Sequence, residues 1–254
     1  MELCRQLRMT LNRDAVGEGA ASSTLLNGLL YRWSFNEESG TRADSVDAAD
    51  LTDNNTVGFG VGKNGNAASF VSGNNETLTK ASFETGLTTA ATWVLWLNPT
   101  DFTNFRAPLT KWAYQTDGEW IIDLEHTNGK IRIYIANALN DAGNNFVTTT
   151  EALTAGVWTN VIITYDGSLA AANRVAIYFD DVAATLTVNG TIAASLQSSA
   201  SAALTFGNVT SGLAWSYNGL IDEPLIYSRV LTAAERTLLY NAGAGNYWPF
   251  TGLP

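Results

Sequence analysis

The sequence predicts an all-β fold, a sandwich or barrel with one short C-terminal helix. Short β-type runs recur between clusters of Gly, Asn and Asp from Leu25 onward, the pattern of a sandwich or barrel. Within the runs apolar and polar residues alternate, as in Ile131-Arg132-Ile133-Tyr134-Ile135, where the isoleucines share one face and Arg132 and Tyr134 the other. Helical periodicity is confined to one place near the C-terminus, where Thr232 and Glu235 form a Thr-x-x-Glu capping box, Leu238, Leu239 and Tyr240 supply an apolar side, and Gly243 ends the helix.

The strands can be placed in order. Leu29 to Phe35 is the first, followed by Ala67 to Val71 and Thr77 to Thr79. Thr92 to Leu97 is apolar on both alternating sets, so it belongs in the middle of a sheet. Pro108 to Tyr114, Trp120 to Glu125 and Lys130 to Ile135 read as a meander, with turn chemistry at Thr127-Asn128-Gly129. Val157 to Tyr165, Arg174 to Asp180, Leu186 to Val188 and a final strand through Leu220 to Tyr227 complete about a dozen, more than a seven-stranded immunoglobulin-type sandwich holds. Asp50 to Asn55 reads as a loop.

Composition narrows the function classes. The chain has 254 residues, 46% hydrophobic, 11% aromatic and 15% charged, with a formal net charge of −10. That balance suits one large β domain with an extended core. The negative charge and the scattered Arg and Lys argue against nucleic acid as a partner. A single cysteine, Cys4, excludes an intrachain disulfide, and a single histidine, His126, excludes a polyhistidine metal site. The N-terminus lacks the apolar run of a secretory signal and no window has the length of a membrane span, so no export address and no membrane insertion are expected. Residues 1–24 read as an N-terminal arm carrying three arginines, 25–246 as the β domain, and 247–254 as an aromatic C-terminal tail.

Four segments then carry a family resemblance. They are Leu30-Tyr31-Arg32-Trp33-Ser34-Phe35-Asn36-Glu37-Glu38-Ser39-Gly40 with Asp44-Ser45; Gly65-Asn66-Ala67-Ala68-Ser69-Phe70; Gly156-Val157-Trp158 through Thr164-Tyr165-Asp166-Gly167; and Gly219-Leu220-Ile221-Asp222-Glu223-Pro224-Leu225-Ile226-Tyr227-Ser228-Arg229-Val230-Leu231-Thr232. In this order they resemble the laminin-G-like branch of the concanavalin A-like lectin/glucanase superfamily over about residues 28 to 243. The resemblance implies a two-sheet antiparallel jelly-roll sandwich whose first and last strands lie side by side. One departure stands at Asp180-Asp181, where the family has Gly second, so that hairpin tip is expected to differ.

The fold hosts lectins, adhesion domains, hydrolases and structural proteins, so function must come from particular residues. Glycosidases of this superfamily carry a Glu-x-Asp-x-Glu strand motif, and the nearest stretch here, Ile121-Ile122-Asp123-Leu124-Glu125, has Ile121 in place of the first Glu. Glu119 and Glu125 are about 20 Å apart along an extended strand, beyond the ~5–9.5 Å of paired catalytic carboxylates. A non-catalytic protein is expected. The resemblance also allows a structural calcium, with Asn36, Glu37 and Asp44 at the opening strand and Asp222 at the closing one as its ligands. For a glycan partner the candidate stacking and hydrogen-bonding residues are Trp112, Tyr114, Trp215, Tyr217 and Asn218, whereas Trp33, Trp93, Trp96 and Trp158 are expected in the core.

Two roles emerge. One is a structural or assembly protein, such as a phage virion decoration or tail-associated subunit, self-assembling or docking on protein partners through Leu3, Arg5, Leu7 and Arg8 of the arm and Trp248 and Phe250 of the tail. The other is an extracellular carbohydrate-binding or adhesion module, with a glycoside hydrolase third. Either role places the protein on a virion or at an extracellular surface.

Overall fold

The computed structural model describes residues 23–113, 117–138, 145–209, 215–250 and 253. Its strands are β1 (Leu29–Arg32), β2 (Thr52–Asn54), β3 (Gly58–Val61), β4 (Asn66–Phe70), β5 (Thr77–Lys80), β6 (Ala90–Pro99), β7 (Arg106–Ala113), β8 (Asp117–Leu124), β9 (Lys130–Ile135), β10 (Phe146–Ala152), β11 (Thr159–Asp166), β12 (Val175–Phe179), β13 (Val182–Ala183), β14 (Leu186–Asn189), β15 (Leu204–Phe206) and β16 (Gly219–Tyr227). The helix α1 spans Ala233–Tyr240. All strand pairings are antiparallel, in two eight-stranded sheets. The first runs β13-β12-β11-β6-β16-β4-β3 with β1 also on β16, and the second runs β14-β10-β9-β8-β7-β15-β5-β2.

The sheets enclose one large apolar core. From the first come Trp93, Leu95, Val161, Ile163 and Ile221, and from the second Leu109, Trp120, Ile122, Ile133 and Phe206. Trp93 and Trp120 meet across it with ring centroids 5.1 Å apart. The expectation for β6 holds: its alternate residues Val94 and Leu225 of β16 face a second cluster under α1, closed by Leu239 and Phe250. Both faces of this strand are covered, which is why it reads as a continuous apolar run.

The closing signature is a staple. β16 pairs with β6 along one side, while its other side is shared between β4 at Gly219–Ile221 and β1 at Leu225–Tyr227. A register shift between Asp222 and Leu225 separates the two halves, with Glu223 at φ 46°. There the Asp222 carboxylate accepts N–H bonds from Lys63, Asn64 and Glu223, and Glu223 accepts a bidentate pair from Arg32 of β1 at 2.7–3.1 Å. The paired acids thus tie the last strand to the first and to the β3–β4 hairpin. First and last strands lie side by side, as the resemblance implied.

The helix is capped as expected. Thr232 Oγ1 accepts the Glu235 N–H, and Glu235 accepts from the Thr232 N–H. At the β12–β13 tip Asp180 and Asp181 have φ of 51° and 64°, so two aspartates hold the left-handed pair that a two-residue hairpin needs. Asp181 accepts from Thr237 of α1 at 2.5 Å, a bond that Gly at this position could not make.

Five strands escape the sequence pattern: β2, β3, β10, β13 and β15. Asp50 to Asn55, expected as a loop, contributes β2 on the edge of the second sheet beside β5. β15 has only three residues, all buried between β5 and β7.

Candidate functional site

On β8 and β9 the residues that do not face the core form a cross-strand ladder. Ile121 lies opposite Tyr134 and Asp123 opposite Arg132. Arg132 Nε and Nη2 donate to the two oxygens of Asp123 at 2.9 and 2.6 Å. Burial pushes the Asp123 carboxyl up, to about 6, against the pull of the Arg132 hydrogen bonds and charge. Burial also pushes the Tyr134 hydroxyl up to about 12, and the neighbouring Asp123 charge adds to it.

Rings surround this ion pair. The Arg132 guanidinium carbon is 4.6 Å from the centroid of Phe105, 5.2 Å from Tyr134, 5.7 Å from Phe146 and 5.9 Å from Trp215. Cation–π contacts of this kind contribute about 0.5–2 kcal/mol each, the more so when desolvated. Phe105, Phe146 and Trp215 are half-buried, so part of each ring remains open to solvent, and exposed His126 stands 5.9 Å from Phe105. Ile121, Trp112, Ala107 and Val209 form an apolar floor beneath Tyr134. The result is an aromatic patch with a fixed polar centre on the outside of the second sheet.

The segment carrying Trp215 is fixed from both ends. The Trp215 carbonyl accepts from Ala107 N at 2.8 Å, and the Ser216 carbonyl accepts from Arg106 Nη1 at 2.8 Å. Asp101 binds Arg106 Nη2 and Asn218 Nδ2, both at 2.5 Å. Against the desolvation that would raise it, these bonds hold the Asp101 carboxyl well below the usual range.

Of the residues expected to meet a glycan, Trp215 is the one the structure places in this patch. Trp112 and Tyr217 are each 1% exposed, which corrects the expectation of exposed platforms. Trp112 lies against Gly118, where an added Cβ would come within 2.5 Å of the indole, and Tyr217 donates its hydroxyl to the Leu220 carbonyl at 3.2 Å. Asn218 uses its amide on Asp101 and on the Ser72 N–H. Tyr114 lies outside the described residues. Phe105, Phe146, Tyr134 and Arg132 complete the patch, and the alternation along β9 puts Arg132 and Tyr134 on the outer face. Phe105 and Phe146 carried no signal, because only the tertiary fold brings them to that face.

The residues expected to hold calcium mostly accept backbone N–H groups. Asp44 accepts four backbone N–H groups, from Arg32, Val46, Asp47 and Ala49; Glu37 accepts from Ala43; and Asn36 accepts from Asn66. Among the described residues no group of three or more His, Cys, Asp or Glu is placed to hold a metal ion. Asp222 belongs to the strand staple and Asp44 to its own turn, whereas the buried Glu37 Oε2 has no hydrogen-bond partner.

The assembly residues divide between the termini. Leu3, Arg5, Leu7 and Arg8 lie outside the described residues. Trp248 is half-buried, and Phe250, 2% exposed, packs on the first sheet with Val94, Tyr227 and Leu239, so the tail ring expected at an interface is part of the domain's own core. Among the described residues no helix is long and apolar enough to cross a membrane.

A family model described as the concanavalin A-like lectin/glucanases superfamily, of laminin-G type, matches residues 70–235. The chain belongs to this superfamily. Curated protein sequences include no match. Solved structures share the fold at low identity. One is domain 4 of AbnA, a GH43 extracellular arabinanase from Geobacillus stearothermophilus, in complex with arabinotriose, at 20% identity and a TM-score of 0.59 over 82% of this chain and 96% of that one. The binding domain of Paraclostridial Mosquitocidal Protein 1 matches at 14% and 0.58, over 87% of this chain and 53% of that one. A Trypanosoma rangeli sialidase matches at 11% and 0.58, over 96% of this chain and 39% of that one. The superfamily fold is therefore shared by binding domains and by parts of enzymes.

Proposed function

We propose that this protein is a non-catalytic carbohydrate-binding module acting outside the cell or on a particle surface, and that the aromatic patch around Arg132 is its binding face. The observation that carries the proposal is the set of half-buried rings, Phe105, Trp215 and Phe146, grouped around a buried Asp123–Arg132 pair. A sugar ring offers an apolar C–H face that stacks on such rings, and its hydroxyls need fixed polar groups at their rim. The similarity to an arabinanase domain that holds arabinotriose supports a glycan as the ligand class. Two features support the absence of catalysis. Ile121 stands where a paired carboxylate would be, and both oxygens of Asp123 are bound by Arg132, so neither is free to act on a glycosidic bond. Glu119 is buried away from the patch, bound to Thr85 and Ser199 and 3.7 Å from Lys111.

A glycan microarray probed with the protein and with its Trp215→Ala and Phe105→Ala variants tests the proposal. Glycan signals that both variants lose are expected. Signals unchanged in both would place the site elsewhere, and turnover of a bound polysaccharide would remove the non-catalytic assignment.

Assembly, as a virion decoration or tail-associated subunit, is the second reading. Its support is the arm segment Leu3-Cys4-Arg5-Gln6-Leu7-Arg8, apolar and cationic side chains ahead of an acidic domain. Deleting residues 1–24 is expected to leave the domain folded and to reduce self-association or attachment. Identical sedimentation before and after the deletion would count against it.

A further inference from the structure

We infer that the ligand of the aromatic patch is an uncharged polysaccharide presented as a single twisted chain, rather than an acidic glycan or a flat crystalline surface. This inference rests on the glycan proposal above and narrows it.

The patch carries two acidic and two basic side chains, Asp123 and Glu125 against Arg132 and Lys130. Asp123 faces Arg132 across the β8–β9 hairpin, and Leu124 faces Ile131, so the next rung sets Glu125 opposite Lys130, where the Glu125 N–H donates to the Lys130 carbonyl at 2.8 Å. Opposite charges in directly facing positions attract across about 5 Å. Arg132 spends Nε and Nη2 on Asp123, and its Nη1 lies 3.9 Å from Glu125. Arg106, behind Trp215, is paired with Asp101 at 2.5 Å. A carboxylate or sulfate on a sugar needs a surplus of positive charge, and in this patch it would meet the half-buried Glu125, 3.9 Å from Arg132 Nη1 and opposite Lys130. Such like-charge juxtaposition is a strong rejecting element in recognition, and a net charge of −10 on the chain adds to it at longer range. Neutral hydroxyls meet no such barrier.

Ring orientation supplies the second half. Phe105 and Trp215 are inclined by 43° at 5.2 Å, Tyr134 and Trp215 by 36° at 6.4 Å, and Tyr134 and Phe146 by 45° at 4.9 Å. His126 is tilted by 50° to Phe105. Each of these neighbouring rings is tilted against the next by 36° or more, so they do not lie together on one flat lattice face. Successive residues of a lone chain, turned relative to one another, can each find a ring.

Isothermal titration calorimetry on the full chain tests this, with soluble arabinan, xylan, mannan and mixed-linkage glucan as neutral polymers and polygalacturonate, heparan sulfate and polysialic acid as acidic ones. Pull-down on microcrystalline cellulose and chitin covers the flat surfaces. At least one neutral soluble polymer is expected to bind, its affinity changing less than about twofold between about 50 and 500 mM NaCl because no charges are screened. Trp215→Ala is expected to weaken that binding by about tenfold, and Trp215→Phe, which keeps a ring, by no more than about threefold. Trp215-dependent binding of an acidic polymer, or of a crystalline surface, would overturn the inference while leaving a glycan module in place. Silence on every polymer would bring down both.

Discussion

Replacing Arg132 by methionine isolates the ion pair at the centre of the patch. Asp123 is fully buried and has both oxygens on Arg132, so the substitution leaves a carboxylate without its compensating charge. Breaking a buried pair in this way costs about 3–5 kcal/mol, which for a domain of this size lowers the melting temperature by roughly 6–20 °C. The cost must depend on pH. The Asp123 carboxyl is already raised from 3.8 to about 6 by burial, and losing Arg132 raises it further. A folded-state value above the unfolded one means that the native protein binds the extra proton, so stability falls as pH rises from the unfolded value through the folded one. The variant is therefore expected to be much weaker at about pH 8 than at about pH 5, where the carboxyl can be neutral. The double variant Asp123→Leu with Arg132→Met removes both charges while keeping volume, and is expected to recover most of the loss. Urea denaturation at both pH values, compared through midpoints at constant slope, reads these differences. A single variant costing under about 1 kcal/mol at about pH 8, or costing the same at both pH values, would refute the idea that the pair acts as one electrostatic unit.

Three other outcomes are expected. Glu235→Gln weakens two bonds to Arg229, at 2.7 and 2.6 Å, and the capping box, for a loss of about 1–2 kcal/mol at neutral pH; because Arg229 holds the carboxyl down at about 2, that contribution is present above the unfolded value of 4.5 and fades as pH falls toward 2, which an acid titration of the two proteins would show as converging midpoints. Burial pushes Asp222 up to about 7, with Glu223 adding to the rise against the N–H bonds it accepts, so this group's contribution to stability is lost as pH rises from about 4 to about 7; Asp222→Asn should flatten the slope over that range in thermal melts, and an unchanged slope would assign it to another group. Gly207→Ala should cost about 2–4 kcal/mol by thermal or chemical unfolding, since φ is +93° and the new Cβ would sit 2.5 Å from the Phe70 ring; a loss below about 0.5 kcal/mol would mean the ring can step aside.

Legibility in the sequence followed the strength of local signals. The β9 hairpin partner, the capped helix and the closing strand each carried a period or a cap that survives without neighbours, and each appears in place. β3, β10 and β15 did not, because Gly58-Phe59-Gly60-Val61, a threonine run and a three-residue segment become strands only when a paired edge supplies their hydrogen bonds. Trp112 shows the limit for the site. Its place in an amide-flanked segment suggested a platform, yet the neighbouring Gly118 lets β8 close over it.

The sequence by itself determined the all-β class, the helix cap and the outer face of β9, since each follows from spacing along a few residues, while the pairing of first and last strands came from the family resemblance of the opening and closing segments. Only the tertiary structure decided which aromatics meet. Phe105, Tyr134, Phe146 and Trp215 come from four separated segments, and their grouping around Arg132 depends on sheet register and on the Asp101–Arg106–Asn218 bonds, interactions that no local pattern encodes. It also decided the use of the acids: Asp44 and Asp222 face backbone N–H groups brought to them from other parts of the chain, Asp222 those of the β3–β4 turn.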